Sequence, residues 1–213
     1  MFKKYFFISL FFFIIFILWT ILLLFINVKP VGPNNSFIGF SNINIYVHTL
    51  LGTNLFLYYL TDLLSIIPVF IMFGFAILGF IQLLKRKSFF KVDFDIYLLG
   101  VFYLLLFFIY LFFENFIINF RPILIEGLLE ASYPSSTTLL VITSIGLTII
   151  QNNLRNKNLK FKNFIKVFLY FYMFFMIFCR FISGVHWFTD ILGGLFLSIS
   201  LISLYYYLIK KHL

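Results

Sequence analysis

Apolar residues run along this chain in blocks too long and too continuous for a soluble core, with short polar or basic segments between them. Residues 5–27 hold more than 20 nearly uncharged positions behind Lys3 and Lys4. At about 1.5 Å of helical rise per residue, that run crosses a hydrocarbon layer of roughly 30 Å. It lacks the shorter apolar core and small-residue cleavage site of a secretory signal, so an uncleaved first span is expected. Further apolar runs at 62–84, 95–113, 135–150, about 167–178 and 188–209 bring the number to six. The fourth is short and opens on small hydroxyl residues. Segment 28–61 carries turn formers at Lys29-Pro30, Gly32-Pro33 and Asn34-Asn35-Ser36, which predict a surface loop with a short re-entrant or interfacial helix. His48 within it is expected to be structural or interfacial. The pattern as a whole predicts an all-α fold: one integral membrane domain over 1–213, a polytopic helical bundle of about six transmembrane helices.

Composition agrees with that pattern. The chain is 63% hydrophobic and 23% aromatic with 11% charged residues, which excludes a soluble globular domain. The formal charge of +9 would suggest nucleic acid in a soluble protein, but its distribution argues otherwise. With six spans, thirteen of the sixteen Lys and Arg residues fall on the termini and the two loops of one face. The opposite face has only Lys29, Arg121 and Arg180. By the positive-inside rule the termini are expected to be cytoplasmic, with the surplus charge facing anionic inner-leaflet lipid and no nucleic-acid partner. The abundance of Phe, Ile, Tyr, Lys and Asn hints at an AT-rich coding background and a bacterial plasma membrane. A single cysteine, Cys179, rules out an internal disulfide.

Candidate chemistry gathers at the outer end of this arrangement. Ionisable groups beside hydrocarbon are costly and mark functional sites. Cys179-Arg180 through Asp190 places a cation, an imidazole and a carboxylate between two apolar runs. On a helix, His186 and Asp190 would share a face, with the carboxylate accepting the ring N–H and leaving the other nitrogen free. An alternative stays open, in which Arg180 snorkels to the headgroups while His186 and Trp187 join an interfacial aromatic belt. Arg121-Pro122 and Tyr133-Pro134-Ser135-Ser136-Thr137 lie at the same end. Two guanidiniums, a helix N-terminus just after Pro134 and the Ser135 and Ser136 hydroxyls suit phosphate oxygens. Ser135 and Thr137 equally suit a helix cap. Glu126 and Glu130 are expected on a solvated face, and the Gly193-Gly194 pair at close helix packing. Three scattered histidines without acidic pairs imply no metal and no cofactor.

On these residues the chain resembles the type 2 phosphatidic acid phosphatase family, relatives of the vanadium haloperoxidases, over a core of about 61–210. The family carries Lys-x6-Arg-Pro, then Pro-Ser-small-His, then Ser-Arg-x5-His-x3-Asp. Arg121 and Pro122 match the first motif, Pro134 and Ser135 the second. Arg180, His186 and Asp190 match the third at full spacing, with Gly184 where the family often has glycine. The resemblance implies that His186 is the nucleophile, Asp190 orients it, and Arg121 and Arg180 stabilise a pentacoordinate transition state on the way to a phosphohistidine. It further implies a substrate-binding set of Ser135, Ser136, Thr137, Arg121, Arg180 and Gly184, and a phosphorylated lipid as partner within the bilayer.

Three positions depart from the family pattern: Glu114 stands for its lysine, Thr137 for its acid histidine and Cys179 for serine. Threonine cannot act as an acid near neutral pH, and Glu114 would repel a phosphate dianion unless protonated or paired with Arg121, which a continuous helix would place on the same face. General acid catalysis contributes about 10² to 10⁴ in rate. A lipid alcohol, with a pKa of the order of water's 15.7, needs that proton. A lipid monophosphate leaving from a diphosphate, with a pKa near about 6, does not. Any activity is therefore expected to favour diphosphates such as a polyprenyl carrier. Three readings follow: an outward-facing lipid phosphate or diphosphate phosphatase, a relative that binds anionic headgroups without turnover, and an unrelated small transport or assembly subunit. The last predicts that Arg121, Arg180 and His186 do not converge.

Overall fold

A computed structural model describes residues 2–212. Its helices are α1 Lys3–Phe25, α2 Ser41–Leu51, α3 Leu55–Leu64, α4 Ile66–Arg86, α5 Phe94–Asn115, α6 Ser136–Arg155, α7 Leu159–Ile182 and α8 Phe188–His212. Two short strands, β1 Lys29–Pro30 and β2 Phe37–Ile38, pair antiparallel in the loop after α1. Six stretches among the described residues are long and apolar enough to cross a membrane, α3 and α4 together forming one of 32 residues.

The second span therefore starts a full two turns before the boundary expected at 62. A break after Leu64 explains the difference. Pro68 has no N–H to give the carbonyl four residues back, and the freed Leu64 carbonyl accepts a hydrogen bond from the Tyr172 hydroxyl at 2.9 Å. The fifth span is also longer than 167–178, since α7 begins at Leu159 with Asn158 accepting from the Phe161 N–H as its cap.

α6 is the most buried of the spanning helices, enclosed by α4, α5, α7 and α8. Its neighbours are protein, so its inward face can carry hydroxyls. Thr143 donates to Ser198 of α8 at 3.1 Å, and Ser198 to the Leu139 carbonyl. Such small polar contacts join helices where lipid offers no hydrophobic drive to association. α1 packs along α8, with Ser200 donating to the Ser9 carbonyl and Trp19 to the Thr189 carbonyl. Tyr205 is fully buried and donates to the Asp95 carbonyl at 2.9 Å.

Candidate active site

Three loops meet at one end of the bundle: the segment before α3, the stretch between α5 and α6, and the turn between α7 and α8. The α5–α6 stretch is folded on itself by an antiparallel bridge between Phe120 and Ala131, with Arg121 N–H donating to the Glu130 carbonyl and Ser132 N–H to that of Asn119. That pairing brings Asn119, Arg121, Glu130 and Ser132 to the mouth of the site. In the α7–α8 turn, Gly184 has φ +66° and packs where a Cβ would lie 1.9 Å from the Gly52 carbonyl oxygen. Glycine is required there by both backbone conformation and space. Gly184 thus shapes the loop that holds His186.

Arg121, Arg180, His186 and Asp190 come together, all buried. The expected helical pairing of His186 with Asp190 does not form, because α8 begins at Phe188 and His186 sits in the turn before it. Asp190 Oδ2 accepts the Trp187 N–H at 2.9 Å, and lies 3.9 Å from His186 Nδ1, beyond hydrogen-bond reach. Ser132 fills the gap. Its carbonyl and its Oγ lie 3.1 and 3.0 Å from Nδ1, and its hydroxyl donates to Asp190 Oδ2 in a short hydrogen bond. Asn119 donates to the other carboxylate oxygen at 3.3 Å. Arg180 Nη2 lies 3.3 Å from His186 Nε2. A guanidinium can only donate, so Nε2 is the acceptor and Nδ1 carries the proton. Burial first, then the Arg180 and Arg121 charges, push the imidazole pKa well below its ordinary value, against a smaller upward pull from the Ser132 carbonyl.

The two guanidiniums flank the ring of Tyr58 in α3, at 4.8 Å for Arg180 and 5.4 Å for Arg121. Arg180 Nη1 reaches Thr61 Oγ1 at 3.2 Å and Asp62 Oδ1 at 3.4 Å. Arg121 pairs with Glu130, its Nε 3.0 Å from Oε2 but out of line for a hydrogen bond. Arg121 Nε and Nη1 and Arg180 Nε have no hydrogen-bond partner. A buried N–H left unpaired costs about 1–3 kcal/mol, which an anion at this place would relieve.

The other expected residues divide. Ser135 is fully buried, and its Oγ accepts from the Thr138 N–H and hydroxyl, so it caps α6. Ser136 and Thr137 line a cavity of about 440 Å³ between α4, α5 and α6, along with Asp62, Glu114 and Ser132 and apolar residues such as Met72 and Leu106. Glu114 does not share a helix face with Arg121, because α5 ends at Asn115, and the ion-pair partner of Arg121 is Glu130. Glu130 is accordingly not a free solvated carboxylate. Among the described residues no cluster of His, Cys, Asp or Glu is placed to hold a metal.

Ser132, Asn119, Tyr58 and Asp62 carry no role in the sequence analysis, and Glu130 is placed there on a solvated face. Asp62 alone left a signal, as a carboxylate at the start of an apolar run.

The family model described as the PAP2 superfamily matches residues 69–213. Among solved structures, the fold is similar to that of the first transmembrane PAP2 type phosphatidylglycerolphosphate phosphatase from Bacillus subtilis. The TM-score is 0.61 with 16% sequence identity, covering 95% of this chain and 96% of that one. No curated protein matches by sequence.

Proposed function

We propose that this chain, which belongs to the PAP2 superfamily, is a membrane phosphohydrolase that takes the phosphoryl group from a lipid phosphate or diphosphate at the extracytoplasmic surface. One observation carries the proposal: two buried guanidiniums with unpartnered N–H groups surround an imidazole whose Nε2 holds a lone pair. In the mechanism, phosphate oxygens take the place of Arg180's contact with Nε2 and of the empty N–H directions on Arg121. Nε2 then attacks phosphorus while the arginines stabilise charge on the equatorial oxygens. Ser132 and Asp190 hold the Nδ1 proton in place and balance the positive charge that develops on the ring. The leaving group departs into the cavity, whose apolar walls suit a lipid chain.

The substrate expectation rests on the leaving group. Thr137 cannot supply a proton, so a diphosphate should react faster than a monoester. The structural neighbour is named for a monoester, phosphatidylglycerolphosphate, which makes it the natural comparison. Purified protein is expected to release phosphate from farnesyl diphosphate faster than from phosphatidylglycerolphosphate, and His186→Ala to abolish both. Faster monoester cleavage would remove the diphosphate preference. A second reading, anion binding without turnover, is favoured by Glu114 on the cavity wall. It predicts phosphate release at background in wild type, with vanadate binding that Arg180→Ala removes.

A further inference from the structure

Asp62 has no part in the chemistry described so far, yet it stands beside the nucleophile. It lies in the last turn of α3, just before the break at Ser65. Its carboxylate pairs with Arg180 Nη1 at 3.4 Å, while Nη2 of the same guanidinium is 3.3 Å from His186 Nε2. Carboxylate and imidazole therefore contact the two terminal nitrogens of one guanidinium. A phosphoryl group bridging Nη1 and Nη2 has the nucleophile on one side and Asp62 on the other. The Asp62 side chain is 52% exposed although its arginine partner is 1% exposed. It opens into the same cavity as Ser132, Ser136 and Thr137. A carboxylate so placed can reach both water and phosphorus.

Resting on the phosphohistidine reading above, we infer that Asp62 is the proton acceptor for hydrolysis of the phosphoenzyme. A phosphohistidine is cleared by water attacking from the side opposite Nε2, and that water needs a base which the Thr137 hydroxyl cannot be. In the step, a water lone pair forms the new O–P bond. The P–Nε2 bond breaks with its electron pair returning to Nε2, and the water proton passes to Asp62 Oδ1. Inorganic phosphate leaves, and the carboxyl proton is then lost to solvent. Glu114 shares the cavity but forms no ion pair with either arginine, so of the two carboxylates only Asp62 is held by the guanidinium that also contacts the nucleophile.

Rapid-quench labelling of the full-length protein in detergent with terminally ³²P-labelled farnesyl diphosphate tests this. That substrate spares the first step any need for an acid. Asp62→Asn is expected to lower steady-state phosphate release by about 10², while acid-labile, alkali-stable label accumulates towards one per chain. Thr61→Ala, which removes a 3.2 Å contact to the same arginine nitrogen, should slow turnover without accumulating label. Asp62→Ser repeats the test with a smaller side chain should the asparagine variant fail to fold. Asp62→Asn turning over at the wild-type rate, or slowing without trapped label, overturns the inference and leaves the phosphatase reading intact. No phosphate and no label from wild type, on this substrate and on phosphatidylglycerolphosphate, would end both.

Discussion

Ser132 is the residue on which the histidine's chemistry turns. It bonds Nδ1 through two of its atoms and passes the interaction on to a carboxylate 3.9 Å from the ring. Ser132→Ala keeps the carbonyl contact and loses the hydroxyl bridge. A hydrogen bond to a charged group is worth about 1.5–3 kcal/mol, so kcat should fall about 10- to 150-fold with KM little changed, as steady-state kinetics on the diphosphate would read. The depressed pKa of His186 sets a second expectation. The free enzyme needs neutral imidazole, so the acid limb of kcat/KM should lie below the ordinary histidine value of about 6.5. The same depression links to stability. A histidine buried neutral contributes fully above about pH 6.5, and that contribution is lost as pH falls from there towards the folded value. Thermal unfolding in detergent should drop in midpoint below pH 6.5, and His186→Asn should flatten the slope. The chain's spacing exposed His186 and Asp190 but not Ser132, since nothing in Arg-x5-His-x3-Asp points to a serine 54 residues upstream.

At the scale of elements, α8 and the α5–α6 stretch hold the site together through a close approach. A Cβ at Gly193 would lie 2.4 Å from Cε2 of Tyr133, whose hydroxyl bonds Thr20 of α1 at 2.7 Å and whose ring stacks on Phe16. The ring is pinned at both ends and cannot swing aside. Gly193→Ala should destabilise the fold by about 1–3 kcal/mol, the usual cost of overpacking, and should weaken catalysis by displacing the adjoining Ser132. Thermal unfolding and turnover measured on one preparation check both. The Gly-Gly pair was legible as a packing site from sequence. Its partner was not, because Tyr133 reaches it only once the loop from Asn119 to Ser132 has folded back.

For the whole molecule, the positive-inside rule predicts that the site end faces away from the cytoplasm. In a Cys179→Ser background, Lys29→Cys should react with a membrane-impermeant maleimide in intact cells, and Lys87→Cys only after permeabilisation. The opposite pattern would put the site on the cytoplasmic side. Hydropathy places six spans but cuts three of them short, at 62–84, 135–150 and 167–178 against the Leu55–Arg86, Ser136–Arg155 and Leu159–Ile182 observed. α6 reads as a short run because its buried faces carry hydroxyls that lower its hydropathy. α3 was absorbed into a loop because Thr61 and Asp62 face the arginines.

Local patterns along the chain specify the class of fold, the number of spans and the set of Arg121, Arg180, His186 and Asp190 that meets at one end. The first two follow from hydropathy, and the last from the spacing of Arg180, His186 and Asp190 together with a span count that brings Arg121 to the same end. Long-range contacts alone put Ser132 between histidine and aspartate and make Glu130 and Asp62 the arginines' partners. Hydrogen bonds at about 3 Å depend on where distant loops lie relative to one another. Asp62 and Arg180, 118 residues apart, share no local pattern that could announce their contact.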